Sequence, residues 1–197
     1  MKFILNFSSL MLLSIFSLIF AACENAVTST ASETVLKTTD DIVTIGYYAD
    51  GATELLLTLD EAEQVFQAIM EAEETSGTFV EAYIDDLHEE PESEAYLLFI
   101  GDLDDGTSVT YGLTLIKEYG DDLTTFFVGG EAYGPTGWKC ENGGCTGRCK
   151  INRSWLTVVD CTCMDAGADC KFSRSGGGGS GWGWAVGIAK LIIDIVK

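Results

Sequence analysis

The chain has 197 residues, and 31 Asp and Glu against 11 Lys and Arg give it a formal charge of −20 at pH 7. The excess is uneven: residues 24–139 hold 26 carboxylates against three cations, a balance of −23, whereas residues 140–197 balance at +2. So acidic a segment excludes binding to a phosphate backbone, and its charge is read as solubility and long-range repulsion in preference to weak cation binding.

In chain order, Lys2 gives a positive start, residues 3–20 (FILNFSSLMLLSIFSLIF) are apolar apart from Asn6 and serines, and Ala21 and Ala22 close the run. A charged start, an apolar core and small residues at the end describe a secretory signal peptide over residues 1–22. The alternative is a retained anchor, because ~18–20 apolar residues can span a bilayer; the small pair favours cleavage. The stretch FAAC, Phe20 to Cys23, resembles the lipobox of bacterial lipoproteins, with Phe20 where that family usually has Leu. The resemblance implies cleavage before Cys23, lipid on Cys23, and an outer-membrane destination in preference to the inner one, since Glu24 and not Asp follows. Two or more acyl chains anchor stably where one is marginal. The chain has seven cysteines, and assigning Cys23 to lipid leaves an even six.

Residues 23–41, rich in Ser, Thr and Ala, read as a flexible tether. An acidic domain is expected over residues 42–134. IVTIGYYADGATELLLTL places two β-prone runs around Asp50-Gly51, a hairpin signal. Thr58 with Glu61 forms a capping-box pattern, and Ala62, Val65, Phe66, Ile69 and Met70 repeat at helical spacing. Four strand-like runs follow: TFVEAYIDD, EAYLLFIGDL, SVTYGLTLIKE and LTTFFVGGEAY. Their short connections imply antiparallel neighbours. The expected class is α+β, a hairpin, one main helix and a four-stranded meander against which the helix packs.

Chemistry-bearing patterns are sparse in this domain. Asp102 to Gly106 (DLDDG) is reminiscent of a calcium loop, but Gly106 replaces the third alternating acid, and a turn explains it better. His88 is the single histidine, read as solvated in an acidic loop. No serine elbow, phosphate-cradling loop or Cys–His pair occurs, and no metal or cofactor is expected.

Cys140, Cys145, Cys149, Cys161, Cys163 and Cys170 follow with the spacing C-x4-C-x3-C-x11-C-x-C-x6-C. Zinc sites usually show closer C-x2–4-C pairs or neighbouring histidines, and a thioredoxin-like site would need C-x-x-C. Three disulfides in an oxidising compartment are expected instead, and spacing alone leaves fifteen pairings open. The run CENGGC…C…CTC…C resembles an EGF-like module. That resemblance implies the pairs Cys140–Cys149, Cys145–Cys161 and Cys163–Cys170 in a small disulfide-rich unit over residues 139–172. So short a segment cannot bury an adequate core by itself and needs its bridges, each contributing ~2–4 kcal/mol.

A Gly-rich linker (residues 175–181) precedes an apolar tail (residues 182–197). As a helix the tail sets Gly187, Lys190, Asp194 and Lys197 on one narrow stripe and apolar residues elsewhere. Its 16 residues reach ~24 Å, too short for a bilayer core. It could fold back onto the acidic domain, lie at a membrane interface or self-associate. The expectation is a second, weaker membrane or partner contact through Trp182, Trp184, Ile188, Leu191, Ile192 and Ile195. Taken together, the residues describe a non-enzymatic cell-envelope lipoprotein, a surface or periplasmic interaction module for an unidentified protein partner. The alternatives are a carboxylate-dependent hydrolase in the α+β domain, or a secreted membrane-active, toxin-like protein acting through the tail.

Overall fold

The structure, a computed structural model, describes residues 41–88, 90–120, 122–145, 147–163, 169–175 and 183–197. The expected signal peptide, Cys23, the tether as far as residue 40, residues 176–181 of the linker and Trp182 lie outside the described residues.

Strands β1 (Ile42–Ala49) and β2 (Ala52–Leu55) form the predicted hairpin. Its two turn residues, Asp50 and Gly51, both take positive φ, 52° and 82°, which gives the turn the twist of the strands it joins. Helix α1 (Leu59–Ala72) begins at the predicted capping box: the Glu61 amide donates to the Thr58 hydroxyl at 3.3 Å, and the Thr58 amide donates to the Glu61 carboxylate at 2.7 Å. Ala62, Val65, Phe66, Ile69 and Met70 are all buried.

The meander then runs through β3 (Gly77–Asp85), β4 (Ala95–Leu103), β5 (Ser108–Tyr119) and β6 (Thr124–Gly129), each antiparallel to the next. β1 closes onto β6, with Ile42 opposite Gly129 and Tyr48 opposite Thr124. The hairpin is therefore part of the same sheet.

The cysteine-rich segment does not form a separate unit. Its first strand, β7 (Gly137–Asn142), pairs with Val109–Leu113 of β5, while β6 pairs with Ile116–Tyr119 further along that strand. β10 (Cys170–Ser175) adds to β7, which completes an eight-stranded sheet. Between them β8 (Cys149–Ser154) and β9 (Thr157–Cys163) make an independent hairpin. The boundary expected at residue 139 thus falls inside a strand. The physical reason is twofold: a long β5 has backbone groups to satisfy along its whole length, and a short cystine segment gains a core by borrowing the sheet's.

Side chains alternate across a strand, so β4 serves two cores, and β5 gives its apolar side chains to one of them. Leu97, Phe99, Val109, Tyr111 and Leu113 belong to the core that also holds the helices. Tyr96 and Leu98 belong to a second core with Trp138, Cys140, Val158 and Cys161. Covered on both faces, β4 reads as a near-continuous apolar run. The fold is sheet-dominated, with helices on one face and the cystine hairpin on the other.

Helix α2 (Gly183–Val196) folds back onto the acidic domain, the first of the arrangements open to the tail. Trp184, Ala185, Ile188, Ala189, Ile192 and Ile193 are buried in the helix-side core, and Leu191, Ile195 and Val196 are half-buried against it. Of the side chains offered to a membrane, Trp184, Ile188 and Ile192 are covered by protein. The apolar arc is wide because α2 lies against α1 as well as the sheet. Gly187, Lys190, Asp194 and Lys197 form the exposed stripe. Gly137 of β7 admits the Trp184 ring, which would stand 2.5 Å from a Cβ there. Among the described residues, no helix is long and apolar enough to cross a membrane.

Candidate functional site

The six downstream cysteines meet where the β8–β9 hairpin lies on the sheet. They pair as Cys140–Cys161, Cys145–Cys163 and Cys149–Cys170, with Cα–Cα separations of 6.2, 5.7 and 6.1 Å. Three disulfides are present as expected, but first joins fourth, second joins fifth and third joins sixth, which is not the pairing implied by the EGF-like resemblance. Strand register explains the difference. Cys161 and Cys163 are two apart on β9 and so point to one face, and Cys149 stands directly opposite Cys163. All three therefore face the sheet, where they meet partners on or beside β7 and β10. The bridges are crowded: the Cys170 Sγ lies 3.5 Å from that of Cys145 and 3.7 Å from that of Cys163.

Charge holds the same surfaces together. The Arg148 guanidinium meets Glu81 of β3 at 2.9 Å. Arg153 of β8 donates to the Glu94 carbonyl at 2.9 Å and to both the carbonyl and the carboxylate of Asp85, with its guanidinium 5.1 Å from the Tyr96 ring centroid. On the helix side of the sheet, Lys139 lies 3.3 Å from both Glu73 and Glu141. Two arginines, Arg148 just before the hairpin and Arg153 within it, thus meet carboxylates of β3.

Tyr96 is the polar centre of this face. Its hydroxyl donates to the Glu94 carboxylate, accepts the Val158 amide at 3.2 Å and lies 3.1 Å from the Thr157 hydroxyl. Burial, and then the Glu94 hydrogen bond, push its phenol above the ordinary value. From β10, Arg174 donates to the Val158 carbonyl. Beside them a cleft of about 190 Å³ is lined by Glu94, Tyr96, Thr114, Thr136, Gly137, Trp138, Arg174 and Ser175. The indole N–H of Trp138 and the hydroxyl of Ser175 are buried without a hydrogen-bond partner. The Trp138 ring lies flush on Gly112 of β5, where a Cβ would fall 2.2 Å from an indole carbon. The lining can donate and accept hydrogen bonds, but Glu94 and Arg174 are already engaged in holding strands together.

Elsewhere, Asp102–Gly106 is the turn that its residues suggest: the Thr107 amide and hydroxyl engage Asp105 and hold its carboxyl below the ordinary range. His88 is exposed but not merely solvated, since its ring stacks on Tyr48 at 3.8 Å and Nδ1 lies 3.3 Å from Asp86, which also pairs with Lys117 at 3.0 Å. Trp184, Ile188, Leu191, Ile192 and Ile195 are in the helix-side core, remote from the cystine face. Sequence reasoning did not single out Tyr96, Trp138 or Arg153. The available signal was a cluster of four arginine and lysine residues between 139 and 153, three of which, Lys139, Arg148 and Arg153, pair with carboxylates.

No family model, no curated protein and no solved structure matches this chain.

Proposed function

We propose that the chain is an exported, non-catalytic lipoprotein of the bacterial cell envelope, held at the membrane by lipid on Cys23 and presenting a rigid acidic fold to a protein partner. The observation that carries this reading is the set of three bridges between the hairpin and the sheet, since disulfides persist in oxidising compartments. The leader and FAAC agree with export, and lipid accounts for the one cysteine left over from six bridged ones. A structural role for the polar face, in preference to a catalytic one, is supported by where its strongest groups are spent: Arg153, Arg174 and Asp85 bond the hairpin to the sheet, as do the amide and carbonyl of Glu94, and the Glu94 carboxylate accepts from Tyr96.

The test is Cys23→Ser. The protein should leave the membrane fraction, and its intact mass should lose the acyl chains carried by the wild type. Unchanged fractionation, or a wild-type mature chain without added lipid mass, overturns the anchor.

A further inference from the structure

Four of the bridged cysteines converge more tightly than two separate staples require. The Sγ atoms of Cys140, Cys149, Cys161 and Cys170 all lie within 4.8 Å of one another. A tetrahedral thiolate site with metal–sulfur bonds of ~2.3 Å has sulfur–sulfur edges of ~3.8 Å. Reduction would let each bonded pair relax to such a separation while the remaining distances contract by less than an ångström or so.

The four ligands come from four strands, Cys140 on β7, Cys149 on β8, Cys161 on β9 and Cys170 on β10. Their positions do not depend on the bridges alone. Backbone ladders join β7 to β10 and to β5, and β8 to β9. The hairpin is held to the sheet by the Glu94 amide bonding the Leu156 carbonyl at 2.8 Å, by Arg153 on Asp85 and by the Val158 amide on Tyr96. Cys140 and Cys161 are buried beside Trp138, and Cys149 and Cys170 are half-buried, while Cys161 and Cys170 line an open cavity of about 400 Å³ through which an ion can enter. Soft thiolates in a tetrahedral set select zinc among common divalent ions. The spacing in the sequence hides this set, because zinc knuckles draw ligands in close pairs from one turn, whereas here the fold collects one from each strand.

We infer that the reduced chain binds one Zn²⁺ on Cys140, Cys149, Cys161 and Cys170, and that this site and the two disulfides are alternative states of the same four sulfurs. Oxidation by a disulfide oxidant balances as follows: four thiolates give up four electrons and form two S–S bonds. Two oxidant disulfides accept those electrons with four protons and leave as four thiols, and the ion departs unchanged as Zn²⁺.

Cobalt(II) is the probe, because tetrahedral thiolate coordination gives it intense visible bands. The protein is the full chain carrying Cys23→Ser, reduced with a phosphine under anaerobic conditions. One Co²⁺ per chain with thiolate bands, displaced by Zn²⁺, is expected in the reduced form and none in the oxidised form. Adding Cys145→Ser and Cys163→Ser should leave the bands in place, whereas adding Cys149→Ser and Cys170→Ser should abolish them. Near-UV circular dichroism reports whether each variant keeps its tertiary structure. Absence of the one-to-one signal in the reduced wild-type quartet, whether that chain is folded or not, overturns the inference. So does a signal that survives loss of Cys149 and Cys170.

Discussion

Tyr111 sits in the helix-side core with no exposed surface, beneath Lys139, whose ammonium lies 5.6 Å from its ring centroid. Burial raises its phenol from 10.0 to about 12, against the pull of Lys139. Burial also works against the Lys139 ammonium, but Tyr111, Glu141 and Glu73 outweigh it and hold the proton more firmly than usual. The folded phenol keeps its proton to higher pH than the unfolded one. Its contribution to stability is therefore fully present below pH 10 and is lost as pH rises towards about 12. Urea unfolding across that window should show stability falling, and Tyr111→Phe should fall less steeply; identical slopes would contradict the burial argument. At this scale the sequence is readable where partners are local. Thr58 and Glu61, three residues apart, announce their own hydrogen bonds. Arg153 meets Asp85 across 68 residues and Tyr96 meets Val158 across 62, and nothing in the neighbouring residues announces those contacts.

Helices and strands were legible as elements because periodicity is a local property. The five apolar positions of α1, the hairpin at Asp50-Gly51, the four-strand meander and the polar stripe of α2 all follow from it. What covers an apolar arc is not local. The face of α2 has the same composition whether lipid or protein lies against it, and here α1 and the sheet do. Likewise β7 and β10 read as parts of a small cystine unit because their pairing with β5 and with each other is set by distant backbone. Two glycine substitutions test the packing assigned to these elements. Gly112→Ala places a methyl 2.2 Å from the Trp138 indole and should destabilise the fold by ~1–3 kcal/mol through overpacking. Gly187→Ala on the exposed side of α2 meets nothing within 4 Å and should stabilise by ~0.5–1 kcal/mol, the ordinary helical preference of alanine over glycine. Equal effects of the two on the urea midpoint would contradict both placements.

At the scale of the whole molecule, the sheet is the common wall of two cores. α1 and α2 close one face, and the β8–β9 hairpin closes the other through apolar contacts, cation–carboxylate pairs and three bridges. Of the charges in the sequence, −23 over residues 24–139 and +2 over residues 140–197, the arginines Arg148 and Arg153 meet carboxylates of β3 across this interface. The number of disulfides was legible from cysteine parity once Cys23 was set aside. Their connectivity was not, because it depends on which face of β9 looks towards the sheet.

That connectivity is the most direct test of the architecture. The oxidised protein is mapped by partial reduction, stepwise alkylation and fragment mass spectrometry. The account predicts Cys140–Cys161, Cys145–Cys163 and Cys149–Cys170, with no free thiol among the six. Finding Cys140–Cys149, Cys145–Cys161 and Cys163–Cys170, or two or more of these cysteines alkylated before reduction, would contradict it.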